Sequence, residues 1–228
     1  RYANDILELQ PDPENDGMYD AWTITVDGEV DNPFTMSLSE MLETFPVETR
    51  NMAFECEINP MGGPLIANST MTGIPLSAII EYAQPRVTNG TLDIWDYDTP
   101  MQWIEDYDAY LMLELDGIPI TYEQGYPVMY ATAMGGAFMN QKQVSHITVT
   151  DRDFEVPAYY LGVRTDDGVY ANNPNCGIFN LREGQIFNLG EEIELTGYAH
   201  AMCLNITAVE LSFDRGATWI TMPVEDAD

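Results

Sequence analysis

Cys56, in Asn51-Met-Ala-Phe-Glu-Cys-Glu-Ile-Asn59, is the residue whose type and setting point most directly to chemistry. It closes an apolar run, and a strand end on a rigid scaffold can present a thiolate, the ligand a soft transition metal prefers. Asn59 follows three residues on. The commoner use of a lone cysteine is simply to fill buried space. Glu55 and Glu57 flank the sulfur, and their charges oppose a free thiolate nucleophile but not one held by a metal. Lys142 is the sole lysine of the chain. It closely follows Gly135-Gly136, a pair whose bare backbone can approach a phosphate. A solvated surface lysine and a plain turn are the ordinary alternatives. His146 and His200, the two histidines, are too far apart for zinc-ligand spacing. The chain has no G-x-S-x-G, P-loop or dinucleotide glycine fingerprint.

Composition bounds what these residues can serve. At 228 residues the chain has room for one large domain or two small ones, with ample core. Hydrophobic residues at 45% and aromatics at 11% mark a globular protein. Eight basic residues against 38 acidic ones give a net charge of −30, which argues against nucleic acid or anionic lipid as partners. Solubility is the default role of that charge. No apolar run is long enough to span a bilayer. The chain opens at Arg1 without a hydrophobic leader, the start expected of a processed, exported protein, periplasmic or extracellular. Of the three cysteines, Cys176 and Cys203 either pair, leaving Cys56 free, or stay reduced; sequence leaves both open. Asn68, Asn89 and Asn205 begin glycosylation sequons by pattern alone.

The elements that must position these residues are short. Residues 1–20 read as a polar arm. Trp22-Thr-Ile-Thr-Val26 alternates as a strand into the turn Asp27-Gly28. Ser37-x-x-Glu40 has capping-box spacing for a helix whose apolar face is Met41, Leu42 and Phe45. A buried strand is expected over 51–58 and a Gly/Pro loop over 60–71. A helix over 75–82 turns Ile74, Leu76, Ile79 and Ile80 inward. A strand follows over 92–95. Residues 107–115 start helical and run into the turn Asp116-Gly117, and strands over 128–132 and 144–149 close the region. Short strands interleaved with short helices make an α+β domain with a mixed sheet. After residue 151 helical periodicity disappears. Strands over 193–199 and 206–213 precede a hairpin turn at Asp214-Arg-Gly-Ala-Thr-Trp219, with Trp219 expected in the core.

In this order, Ala21-Trp-Thr-Ile-Thr-Val-Asp-Gly28, Cys56, Thr72-Gly-Ile-Pro-Leu76, Leu113-Glu-Leu-Asp-Gly117 and Gln124-Gly-Tyr-Pro-Val128 resemble the molybdopterin-binding domain of the sulfite oxidase-type oxidoreductases. Ile193-Glu-Leu-Thr-Gly-Tyr-Ala199 and Val209-Glu-Leu-Ser-Phe-Asp-Arg-Gly-Ala-Thr-Trp219 resemble that family's C-terminal immunoglobulin-like domain. The resemblance implies a molybdopterin domain over 1–150 and a small all-β immunoglobulin-like domain over 151–228, incomplete beside the family's. It implies a molybdenum-molybdopterin cofactor with Cys56 as metal ligand and catalytic residue. Asn59, Tyr126, Gly135, Gly136 and Lys142 become cofactor-binding candidates, with Met129 beside them. A small-molecule substrate, a redox partner protein and a homodimer are implied with it.

The departures direct the choice of substrate. Gln124 replaces the family's His, Met129 its Arg, Gln143 the Trp after the lysine, and Pro60-Met61 the arginine after the cysteine element. An oxyanion such as sulfite needs fixed cationic donors. Two-electron oxygen-atom transfer on a neutral sulfoxide or N-oxide therefore fits better than sulfite oxidation. The alternative is a non-catalytic exported binding or assembly module that keeps the fold and has lost the cofactor.

Overall fold

The computed structural model describes residues 17–56, 58–95, 97–154, 163–164, 170–171, 174–201 and 205–224. The chain divides into two compact units. One comprises Arg1–Glu57 and Ile66–Tyr160, the other Ile58–Leu65 and Leu161–Asp228.

The first unit runs α1 (Gly17–Ala21), β1 (Thr23–Gly28), β2 (Phe34–Ser37), α2 (Leu38–Thr44), β3 (Glu48–Glu55), β4 (Ile66–Pro75) and α3 (Leu76–Ala83). It continues through β5 (Thr91–Ile94), β6 (Tyr97–Pro100), α4 (Trp103–Asp106), β7 (Ala109–Leu115), β8 (Ile118–Pro119), β9 (Met129–Thr132), β10 (Gln141–Lys142) and β11 (His146–Thr150). Two sheets result, ordered β2-β1-β11-β5-β6 and β10-β9-β7-β4-β3, with β8 paired to β7. β1 and β11 are parallel, and their neighbours are antiparallel. The first unit is thus an α+β domain with a mixed sheet.

Local signals decide several of these elements. Trp22, Ile24 and Val26 are buried, while Thr23, Thr25 and Asp27 between them are not. Ser37 caps α2 through the Glu40 backbone N–H at 3.2 Å, and the Glu40 carboxylate accepts the Ser37 N–H at 2.8 Å. That reciprocal pair satisfies two donors a helix start would leave bare. In α3, Leu76, Ile79, Ile80 and Ala83 form the buried face. The β7–β8 turn takes positive φ at Asp116 (53°) and Gly117 (74°), the backbone a two-residue hairpin requires. The Trp22 indole Nε1–H donates to the Val144 carbonyl at 2.7 Å, tying the entry to β1 to the entry to β11.

Elsewhere the structure corrects the expectation. The strand expected over 51–58 is Glu48–Glu55, half exposed, and Ile58 is 75% exposed. The loop expected over 60–71 ends early, because β4 begins at Ile66. Its polar first half pairs with residues 51–55 of β3 and is itself not buried, so solvent tolerates the Asn and Thr side chains that read as loop. The helical start expected at 107 lies earlier, in α4, and Ala109–Leu115 is all strand. Residues 17–21 are helical, while the rest of the expected arm lies outside the described residues.

Among its described residues the second unit holds three antiparallel pairs, β12 (Val163–Arg164) with β13 (Tyr170–Ala171), β14 (Asn175–Ile178) with β15 (Gly197–His200), and β16 (Ala208–Leu211) with β17 (Ile220–Pro223). Asn175 gathers the 58–65 segment into it, accepting the Gly62 N–H at 2.9 Å and donating to the Pro60 carbonyl at 3.2 Å. The Tyr198 hydroxyl donates to the Gly63 carbonyl at 2.8 Å. The strand expected over 193–199 starts only at Gly197. Trp219, expected in the core, is 57% exposed, because the β16–β17 ribbon is two strands wide. Cys176 is an exposed free thiol, and Cys203 lies outside the described residues.

Two predictions follow from these bonds. Trp22→Phe strands the Val144 carbonyl and is expected to cost about 1–3 kcal/mol in urea unfolding. In the β16–β17 turn, the Asp214 carboxylate accepts the Thr218 hydroxyl at 2.7 Å, the Thr218 N–H at 2.8 Å and the Ser212 hydroxyl at 2.9 Å. The Thr218 bonds lead in lowering its pKa from 3.8 to about 2. The stabilisation is therefore complete above 3.8 and is lost as pH falls through about 2. A carboxyl-carbon NMR titration of Asp214 is expected to show that midpoint, and an ordinary carboxylate value would refute the turn geometry.

Candidate functional site

Cys56 leaves β3 immediately after Glu55, which pairs with Ile66 at the start of β4. It is a free thiol, partly exposed, while Glu55 beside it is buried. The outer edge of β3 is not idle. The Ala53 N–H donates to the Ala133 carbonyl at 3.3 Å, just past the end of β9. That bond ties the strand carrying Cys56 to the turn containing Gly135 and Gly136.

Both glycines are buried. A Cβ on Gly135 would lie 2.2 Å from Thr132 Oγ1 and 2.7 Å from Met139 Sδ, so no other residue fits without displacement. Gly136 caps a 3₁₀ turn at Ala137–Met139. The Thr132 N–H donates to Asn140 Oδ1 at 3.2 Å, holding both ends of the turn together. Thr132 was not a sequence candidate. Its only sequence signal is a hydroxyl at the end of β9, three residues before the glycine pair.

Lys142 sits in β10 opposite Met129 of β9. It is exposed, and its Nζ donates to the Glu123 carbonyl. Gly125, with φ at 117°, packs against the Lys142 stem, where a Cβ would meet Lys142 Cβ at 3.0 Å. Tyr126 is 3% exposed, with its ring centroid 6.3 Å from that of Tyr19. Lys142, Tyr126 and Met129 thus share one end of β9, and the glycine turn and the strand of Cys56 share the other. Ala133 lies four positions beyond Met129, about 13 Å of strand. Asn59 belongs to the second unit, where its Oδ1 accepts the Leu65 N–H at 3.0 Å and closes the loop.

The electrostatics are uneven. Arg50 meets Glu48 at 2.5 Å and Asp108 at 3.5 Å, Arg86 meets Glu29 at 3.1 Å, and Arg152 meets Asp98 at 2.9 Å. Among the described residues of the first unit, Lys142 is the cation that no carboxylate holds. His146 Nε2 lies 3.0 Å from Asp27, whose other oxygen accepts the Thr148 hydroxyl at 2.8 Å. Burial alone would raise the pKa of Asp27, but the His146 and Thr148 bonds outweigh it and leave it lowered. This trio lies on β1 and β11 and is structural. A cleft of about 700 Å³ lies against α3 and α4, lined by Glu81, Glu105, Asp106, Asn89, Gln102 and Ser77 among others. α3 follows the end of β4 remote from Cys56, ten residues or about 30 Å of strand away, so the cleft is not part of the cysteine site.

The model of a protein family described as the oxidoreductase molybdopterin binding domain matches residues 10–158. The fold is similar to that of a chain in the crystal structure of the sulfane dehydrogenase SoxCD from Paracoccus pantotrophus. The TM-score is 0.69 and the identity 22%, covering 89% of this chain and 59% of that one. This chain therefore spans about three-fifths of the length of that relative.

Gly135→Ala tests the close packing of the turn. It is expected to cost about 1–3 kcal/mol in urea unfolding, as overpacking does, and an unchanged midpoint would mean the turn opens freely.

Proposed function

The chain belongs to the oxidoreductase molybdopterin binding domain family, and from that premise we propose that it catalyses two-electron oxygen-atom transfer on a small neutral oxide, a sulfoxide or N-oxide. The cofactor of the family is molybdopterin with its molybdenum. When bound, it supplies the two-electron redox centre and the oxygen-accepting site.

The residues present fit that group. Cys56 offers a free, partly exposed thiol at a strand end, as a soft metal requires. The bond from Ala53 to Ala133 joins its strand to a turn where a Cβ on Gly135 would meet Thr132 Oγ1 and Met139 Sδ, and where the buried Thr132 hydroxyl has no partner among the described residues. That junction of thiol strand and glycine turn is the observation that carries the reading. In the proposal Cys56 holds the metal. Gly135 and Gly136 present backbone to the cofactor. Lys142, free of carboxylates, turns from the Glu123 carbonyl to its phosphate. Asn59 and Tyr126 are positioned less directly, through the loop and the core.

The preference for a neutral substrate rests on charge. Arg50, on the same strand as Cys56, is committed to Glu48 and Asp108. Met129 is buried where the family carries an arginine, and Pro60 and Met61 follow the cysteine. Binding an anion without fixed cations is costly. A neutral oxide asks only for shape and a hydrogen bond. Its reduction takes two electrons and two protons and yields the deoxygenated product and water, so a redox partner protein must supply the electrons. Among the described residues no helix is long and apolar enough to cross a membrane.

The test is the molybdenum content of the chain, by elemental mass spectrometry, after purification from a host that makes the cofactor. Near-stoichiometric metal is expected, falling at least tenfold in Cys56→Ser. Folded protein without metal would overturn the enzyme reading and leave a binding module of the same fold.

A further inference from the structure

We propose that Thr132 is a positioning residue for the cofactor, its hydroxyl donating a hydrogen bond to an acceptor atom of the bound group at the Gly135 turn; this rests on the molybdopterin reading above. Thr132 is fully buried at the end of β9, and no hydrogen-bond partner is present for its Oγ1 among the described residues. Its neighbours Met129, Ala131 and Ala133 are buried and apolar. A buried hydroxyl that makes no bond lowers stability, and valine would present nearly the same shape without it. Folding alone therefore favours valine at this position. A local rule broken inside a well-packed strand is the mark of a group kept for something other than the fold.

The direction of the hydroxyl is set. Asn140 fixes the Thr132 backbone, and Oγ1 lies 2.2 Å from where a Gly135 Cβ would be. Any side chain at position 135 would thus collide with the hydroxyl, and glycine leaves that point without one. The other group over that space is the Met139 thioether, 2.7 Å from the same point, on a flexible unbranched chain that can yield to an incoming ligand. The turn is joined through Ala133 and Ala53 to the strand of Cys56, so a group tethered by the thiol and one bonded to Thr132 rest on connected elements. A neutral donor is also the kind this end of β9 can offer, because Lys142 lies at the other end.

The full chain, purified from a cofactor-producing host, would be compared with Thr132→Val and Thr132→Ser for molybdenum retained after prolonged gel filtration. The melting temperature of each cofactor-free protein would be measured alongside. Thr132→Val is expected to retain about tenfold less metal, the effect of losing one hydrogen bond to a charged group, while its cofactor-free form melts no lower than wild type. Thr132→Ser, which keeps the hydroxyl, is expected to retain metal. Undiminished retention in Thr132→Val would overturn the inference and leave the molybdopterin reading standing. A lower melting temperature of the cofactor-free Thr132→Val protein would also overturn it, because the hydroxyl would then be serving the fold. A wild-type protein without metal would instead overturn the reading on which the inference rests.

Discussion

The parallel pairing of Thr25–Gly28 with His146–Val149 is the constraint on which the first unit depends. Parallel neighbours cannot be joined by a tight turn, so the chain between them must form a crossover, and here that crossover holds nearly the whole unit. The Trp22–Val144 bond, across 122 residues, reinforces the same closure. Once it is made, β2 and β5 add to either side of the pair, and the second sheet forms from the chain enclosed between them. Closing so long a loop is entropically only slightly worse than closing one half its length, so the arrangement is accessible despite its span.

Within that enclosure the second sheet brings distant parts of the sequence together. β3 is an edge strand, and an unpaired edge is a row of exposed donors and acceptors. Part of that edge is answered by Ala133, which is why the cysteine strand and the glycine turn meet at all. The candidate site thus draws on one strand end and one turn that share no local sequence signal. The remaining cation, Lys142, is placed from β10 at the far end of β9, held by the Glu123 carbonyl.

What was legible in the sequence was local. The capping box at Ser37 and Glu40, the inner face of α3, the alternation in β1 and the Asp116-Gly117 turn depend on neighbours a few residues apart, and each is found where those neighbours place it. The order of motifs along the chain carried the family further than any one of them. What was not legible depends on partners far away in the chain. The polar start of β4 is a strand only because β3 lies beside it. Trp219 reads as a core residue because hairpin tryptophans usually find a second layer, and the described ribbon has none. Thr132 could not be singled out, because a threonine in a strand is unremarkable until its hydroxyl is seen to lack a partner. Cys56 could be picked by type, but its connection to Gly135 is a tertiary fact.

The commitment of Arg50, Arg86 and Arg152 to nearby carboxylates has a consequence for the molecule as a polyanion. These cations neutralise their immediate neighbours, and the five basic residues that remain are far too few for a chain that carries 38 acidic residues. Repulsion between the remaining carboxylates reaches across the fold and works against compactness. It is damped only over a screening length of about 8 Å at physiological ionic strength and about 3 Å at 1 M. The dissolved cations around this protein therefore act as a structural component of it, supplying the positive charge that its own side chains do not.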